Sequence, residues 1–220
     1  MTVFETVVMT LERLIAHNGR ARIAFPGGRS AVGLMQELAK QPLKWSSIDV
    51  TLVDERAVPE TYQASNARLV KQTLCTDQAS HARFEPLLVE DDAMNSARTL
   101  NNREYSIDIA ILGMGEDGHF ASLFPRQSLA PGLGDDVDGF VATDPVGSPS
   151  VPRISMTLTR ILSASLVVLL VSSEAKKEKV LAGFQGLDSM NPVSYLLAAN
   201  HPIVVEWPDG STEIIQGGIT

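Results

Sequence analysis

At 220 residues and 44% hydrophobic content, the chain can bury one sizeable core and is short for two, so residues 1–220 are expected to form a single domain. A net charge of −8 argues against a nucleic-acid or anionic-membrane partner, which needs a basic field, but leaves room for a small anion where a few cations gather. The one cysteine, Cys75, excludes an intramolecular disulfide framework and reads as a small buried apolar side chain in a reducing compartment.

Val3, Phe4, Val7, Val8, Leu11, Leu14 and Ile15 recur at helical spacing ahead of Asn18-Gly19, which predicts an amphipathic helix over 2–18. The opening residues lack a basic region followed by an apolar core, and the longest apolar run, Leu166 to Val171, is far too short to span a bilayer, so a cytoplasmic protein is expected. A short strand, 22–25, breaks at Pro26-Gly27-Gly28-Arg29-Ser30, and a helix follows from Val32 to about Lys40. Such a turn presents backbone N–H groups at the positive end of a helix, which suits a phosphate, and Arg29 adds a cation; many α/β turns carry paired glycines with no ligand. A strand over 48–53 ends in Asp54-Glu55-Arg56, which reads either as charges on a ligand-binding sheet edge or as a solvated loop. Ser65 is a candidate N-cap for a helix to about Leu74, followed by a strand over 84–89 and a helix over 93–103.

A strand over 107–112 then runs into Gly113, Gly115 and Gly118, with Asp117 and His119 on the same loop. Ligands of open α/β sheets bind at the carboxyl ends of strands, and here a carboxylate and an imidazole stand at one such end, ready for acid–base chemistry. The glycine spacing also fits a dinucleotide fingerprint, but that motif opens a helix of about ten residues or more. Pro125 arrives seven residues after Gly118, so a crossover helix does not fit. A glycine turn carrying a merely structural histidine is the competing reading.

Residues 125–150, rich in Pro, Gly and Asp, predict a long irregular excursion interrupted by a strand at 139–142. An extended segment, 152–157, leads to a brief helix, 158–163, and a strand over 165–171. In the next helix, to about Phe184, Lys176 and Lys177 in the first turn oppose the dipole unless a bound anion, or Glu174 and Glu178, offsets them. Asn191-Pro192 opens a helix over 192–199; a strand over 202–206 and a turn at Asp209-Gly210 lead to a terminal segment read as a hairpin arm. Alternating strands and helices give an α/β fold: a mostly parallel, Rossmann-like sheet with helices on both faces.

Four motifs together resemble the 6-phosphogluconolactonase family: Gly27-Gly28-x-Ser30; Val53-Asp54-Glu55-Arg56-x-Val58-Pro59 with Ser65-Asn66; Leu112-Gly113-Met114-Gly115-x-Asp117-Gly118-His119-x-Ala121-Ser122-Leu123-Phe124-Pro125; and Pro152-Arg153-Ile154-Ser155, followed by Glu174-x-Lys176. Where that family commonly has serine after the paired glycines, this chain has Arg29. The resemblance implies a sugar-phosphate-isomerase-like fold and hydrolysis of 6-phosphoglucono-δ-lactone in the pentose-phosphate and Entner–Doudoroff pathways, without metal or organic cofactor. For hydrolysis of such a lactone, His119 is the candidate base and Asp117 its orienter or a sugar contact. By the same resemblance Arg153 and Lys176 bind the 6-phosphate with Gly27 and Gly28 nearby, Asp54 and Arg56 address the lactone ring and its hydroxyls, and Ser30 belongs to the same substrate-binding turn, in which Arg29 either adds a phosphate contact or alters how the turn holds the sugar. Backbone N–H groups of Gly113, Met114 and Gly115 are candidates for an oxyanion hole. A monomer acting on a small sugar-phosphate lactone is expected. The related glucosamine-6-phosphate deaminases share the glycine–histidine loop but continue it differently, and a sugar-phosphate sensor domain is the non-catalytic alternative.

Overall fold

A computed structural model of the chain describes residues 1–125, 132–134 and 138–218. Helix α1 (Val3–Asn18) starts in a capping box, with the Thr2 hydroxyl accepting from the Glu5 N–H at 3.1 Å and the Glu5 carboxylate accepting from the Thr2 N–H at 2.9 Å. Val3, Val7, Leu11 and Leu14 form its buried stripe, and Gly19 ends it in a left-handed conformation. Strand β1 (Ala21–Phe25), helix α2 (Val32–Ala39), strand β2 (Ile48–Leu52) and a short strand β3 (Asp54–Arg56) follow. Next come α3 (Asn66–Thr73), β4 (Arg83–Phe84), α4 (Ala93–Asn101) and β5 (Ile109–Gly113). The second half carries β6 (Phe140–Val146), β7 (Val151–Met156), α5 (Leu158–Leu162), β8 (Leu166–Leu170), α6 (Glu174–Gly183), α7 (Val193–Ala198), β9 (Pro202–Glu206) and β10 (Thr212–Gln216).

Seven strands form one sheet in the order β10-β9-β8-β5-β1-β2-β4, parallel except for β10, which folds back antiparallel on β9 as the expected hairpin arm. Ile109, Ala110, Ile111 and Leu112 are all fully buried, so β5 is covered on both faces, as a parallel strand between helical layers must be. Fully burying a Leu or Ile side chain stabilises by about 1.5–3 kcal/mol, so this central run anchors the core. From β1 the chain builds outward to β2 and β4, then returns to lay β5 on the other side of β1 and continues through β8 and β9. The switch point of the sheet therefore lies between β1 and β5, where a crevice opens at the carboxyl ends of the strands.

Two sequence expectations are corrected. The strand read over 84–89 is only Arg83–Phe84: the Glu85 N–H still bonds the Val50 carbonyl at 2.8 Å, but Pro86 has no N–H to continue the ladder. Asp54–Arg56 is not a solvated loop but a strand of a second, antiparallel sheet ordered β3-β7-β6. The strand expected at 139–142 runs from Phe140 to Val146 as the outer strand of that sheet. The irregular excursion expected over 125–150 falls partly on 126–131 and 135–137, outside the described residues. Cys75 is half-buried, and burial pushes its thiol up to about 11, which keeps it protonated and unreactive at neutral pH. No helix among the described residues is long and apolar enough to cross a membrane.

Candidate active site

The turns after β1, β2, β5 and β8 meet in one cleft of about 280 Å³ at the switch point. Gly27, Gly28, Arg29 and Ser30 enter from β1; Asp54 and Arg56 from β3, which continues β2; Gly113, Met114, Gly115 and His119 from β5; Lys176 from α6 after β8; and Arg153 from β7. Every binding residue expected from the sequence thus lines a single cavity, and Asp117 stands behind it as the partner of His119. Arg29, Arg56, Arg153 and Lys176 face one carboxylate, Asp54, in that cavity, an excess of positive charge inside a chain of net charge −8.

His119 is fixed by its own loop. Its Nδ1 lies 2.5 Å from Asp117 Oδ1, and its backbone N–H donates to the same oxygen at 3.2 Å. Burial works to raise the Asp117 carboxyl, but the hydrogen bond and charge of His119 outweigh it and hold the group below the usual carboxylate range. An ionised carboxylate only accepts, so Nδ1 carries the hydrogen and Nε2 is left with a lone pair. The turn leaves no room for a side chain at Gly115, where a Cβ would overlap the imidazole and lie 2.6 Å from Asp117 Oδ1. A Val193 N–H donating to the Gly118 carbonyl at 3.0 Å ties the loop to the start of α7.

The loop also uses up one donor that the sequence reading had assigned elsewhere. The Gly115 N–H bonds the His119 carbonyl at 2.8 Å, which takes it out of the set available to an oxyanion. The turn at 28–31 is a single 3-10 turn with no side-chain cap, and α2 begins without one, so the glycine turn after β1 keeps N–H groups with no side-chain acceptor.

The second sheet places the arginines. In the β3–β7 ladder Asp54 opposes Ser155 and Arg56 opposes Arg153, so these four side chains share one face. Like charges directly opposite each other destabilise a sheet unless an anion lies between them. Arg153 is 3% exposed, and burial, with Arg56 beside it, holds its guanidinium below the usual arginine range. Its Nε, like the Nε of Arg56, has no acceptor among the described residues.

One residue absent from the sequence-derived set organises this corner. Buried Asn66, at the start of α3, donates from Nδ2 to the Asp54 carbonyl at 2.8 Å and to Asp54 Oδ1 at 3.2 Å, while its Oδ1 accepts from Arg56 Nη1. Ser122 Oγ donates to the other Asp54 oxygen. Glu55, on the opposite face, accepts from the N–H groups of Arg56, Asn66 and Ala67, so one strand and one helix start are bolted together. A Cβ at Gly27 would overlap the Asn66 carboxamide. Gly27→Ala is therefore expected to dislodge Asn66 and lower kcat/KM by about 10–100-fold, since misplacement on the order of 1 Å costs about that much. Steady-state kinetics alongside thermal unfolding check this, and an unchanged kcat/KM would show that the Gly27–Asn66 contact is dispensable.

An Asp-backed histidine and a cluster of cations thus meet in one switch-point cleft, an arrangement that suits acid–base chemistry on a small anion. A family profile described as glucosamine-6-phosphate isomerases/6-phosphogluconolactonase matches residues 1–205, and the chain belongs to that family. The chain is 38% identical over 207 residues to the 6-phosphogluconolactonase of Pseudomonas aeruginosa, covering 90% of this chain and 85% of the relative. It is 35% identical over 204 residues to that of Mesorhizobium japonicum, with the same coverage. Among solved structures, a 6-phosphogluconolactonase from Shewanella baltica superposes with a TM-score of 0.80 at 29% identity, covering 93% of this chain and 91% of that one. These likenesses set the chain beside the hydrolase branch of its family.

Proposed function

We propose that the chain hydrolyses 6-phosphoglucono-δ-lactone to 6-phosphogluconate, the lactone-opening step shared by the pentose-phosphate and Entner–Doudoroff routes. The observation that carries this reading is the Asp117-oriented imidazole opening onto a cleft that Arg153 and Lys176 also line. A lactone is an activated ester, so its hydrolysis needs an aimed water, a base and a stabilised oxyanion, and no metal or organic cofactor enters the proposal.

His119 Nε2 takes a proton from water as the water oxygen bonds to the lactone carbonyl carbon. The imidazolium so formed is stabilised by Asp117 at Nδ1. The oxyanion re-forms the carbonyl as the bond from that carbon to the ring oxygen breaks, and Nε2 returns its proton to the departing oxygen, leaving an open hydroxy acid. An imidazole, with an ordinary pKa near 6.5, suits both transfers at neutral pH. Arg153 and Lys176 hold the 6-phosphate with Arg29, Ser30 and the N–H groups of Gly27 and Gly28. Arg56 and Asp54, braced by Asn66, address the ring hydroxyls. With the Gly115 N–H committed, the oxyanion falls to whichever backbone donor of Gly113 and Met114 the β5–β8 pairing leaves free. The proposed protein acts in the cytoplasm as a monomer, with residues 1–220 as its single domain.

The direct test follows acid release from freshly generated 6-phosphoglucono-δ-lactone, with and without the protein, in buffer containing a chelator. Acceleration that survives the chelator is the expected result. A rate equal to spontaneous hydrolysis while substrate still binds would replace the enzyme with a sensor.

A further inference from the structure

Phe124 touches both working ends of the cleft, although it is not itself among the residues that the chemistry calls for. Its ring is stacked on the His119 imidazole, with centroids 4.1 Å apart and planes 29° apart. The Arg153 guanidinium carbon lies over the same ring, 5.1 Å from its centroid. The turn between β6 and β7 closes on this group: a Cβ at Gly147 would lie 2.9 Å from Arg153 Nη2 and 3.1 Å from Phe124 Cζ. Phe124 is 7% exposed and the chain bends sharply on its approach, with Ala121 at φ +48°.

Hydrogen bonds do not account for how Arg153 is held. Its Nη2 donates to the Pro149 carbonyl at 3.3 Å, and its Nε has no acceptor among the described residues. What fixes the plane of the guanidinium is the flat ring beside it and the turn against it. His119 is in a similar position: Asp117 fixes one ring atom, but rotation about that bond would still swing Nε2 away from the cleft. The stacked phenyl face removes that freedom. A phenylalanine suits this work because its ring is planar and turns on only two side-chain torsions.

We propose that Phe124 is a positioning residue that sets the distance between the base and the phosphate-binding guanidinium, so that seating the phosphate on Arg153 aligns the lactone carbonyl with His119 Nε2. The inference rests on the lactonase reading and adds a residue to it. Selection of the phosphorylated substrate then depends on a rigid spacer as well as on charge.

Phe124→Leu keeps an apolar side chain and removes the flat face. With 6-phosphoglucono-δ-lactone as substrate, kcat is expected to fall by about 10–100-fold, the cost of misplacing a reacting group by roughly 1 Å. Competitive inhibition by inorganic phosphate, read from the same assays, is expected to weaken several-fold, because Arg153 has lost its support. In an Arg153→Ala background both effects of Phe124→Leu should shrink, because no guanidinium is left for the ring to space from the base; a kcat loss of undiminished size there would mean that Phe124 supports His119 alone and would overturn the proposal. Mere loss of folded protein would lower the apparent kcat and leave both KM and the phosphate inhibition constant unchanged, so that pattern overturns the proposal, as does a folded variant with wild-type values. If Phe124→Leu does not fold, Phe124→Met, unbranched and adaptable, carries the same comparison. Wild-type acceleration over the spontaneous rate tests the lactonase reading by itself, so failure of that reading is distinguishable from failure of the spacer.

Discussion

Replacing His119 with asparagine is expected to lower kcat by about 10²–10⁴-fold, the usual worth of a positioned general base, with little change in KM. Asparagine is close to the imidazole's near half in size and can still donate to Asp117, so the loop keeps its closing hydrogen bond. What it lacks is a basic atom at the position of Nε2. Arg153, Lys176 and the turn at 27–30 lie on other elements, so substrate capture is untouched. The residual rate should lose the pH dependence that a general base contributes. Measuring kcat and KM from pH 5 to 8 for both proteins checks this, and near-normal turnover in the variant would remove His119 from the chemistry.

Much of this site was legible because its chemistry is local. Asp117, His119 and the glycines that let them meet fall within seven residues, so spacing alone predicts that a carboxylate can reach an imidazole. The glycine turn after β1 and the lysine of α6 were legible for a related reason: each follows directly on a buried apolar strand, and parallel strands deliver their turns to one edge. The rest depends on pairings between distant segments. Arg56 comes to face Arg153 only because β3 and β7 pair antiparallel across almost a hundred residues, which no local period announces. Asn66 belongs to a recognised motif but carries no assigned role until Asp54, Arg56 and Gly27 are seen to converge on it. The Gly115 N–H was misassigned for the opposite reason: the loop bends back so that Met114 bridges Phe120, and it uses its own donor in doing so. Phe124 read as the tail of a motif, and its value appears only when His119 and Arg153 are both in place beside it.

Arg153→Ala is expected to cost about 10²–10⁴-fold in kcat/KM toward the phosphorylated lactone. Hydrogen bonds to charged groups contribute about 1.5–3 kcal/mol each, a guanidinium offers a phosphate two in parallel, and every 1.4 kcal/mol is tenfold. Unphosphorylated glucono-δ-lactone makes no such contact, so its kcat/KM should change by no more than about threefold. The stability effect runs the other way from intuition. In the free protein Arg153 is buried opposite Arg56 with its Nε lacking an acceptor among the described residues, so the guanidinium is desolvated without full compensation. Truncation relieves that cost while losing the contacts with Phe124 and the turn at Gly147, and the two changes oppose each other. The unfolding temperature of the ligand-free variant should therefore shift little, whereas the rise that inorganic phosphate produces in the wild type should be largely lost, because a ligand stabilises only the state it binds. Thermal unfolding with and without phosphate, set beside kinetics on both lactones, distinguishes the cases. Equal losses on the two lactones would mean that Arg153 supports the cleft as a whole, and the phosphate would then have to be assigned to Lys176, Arg29 and the glycine turn.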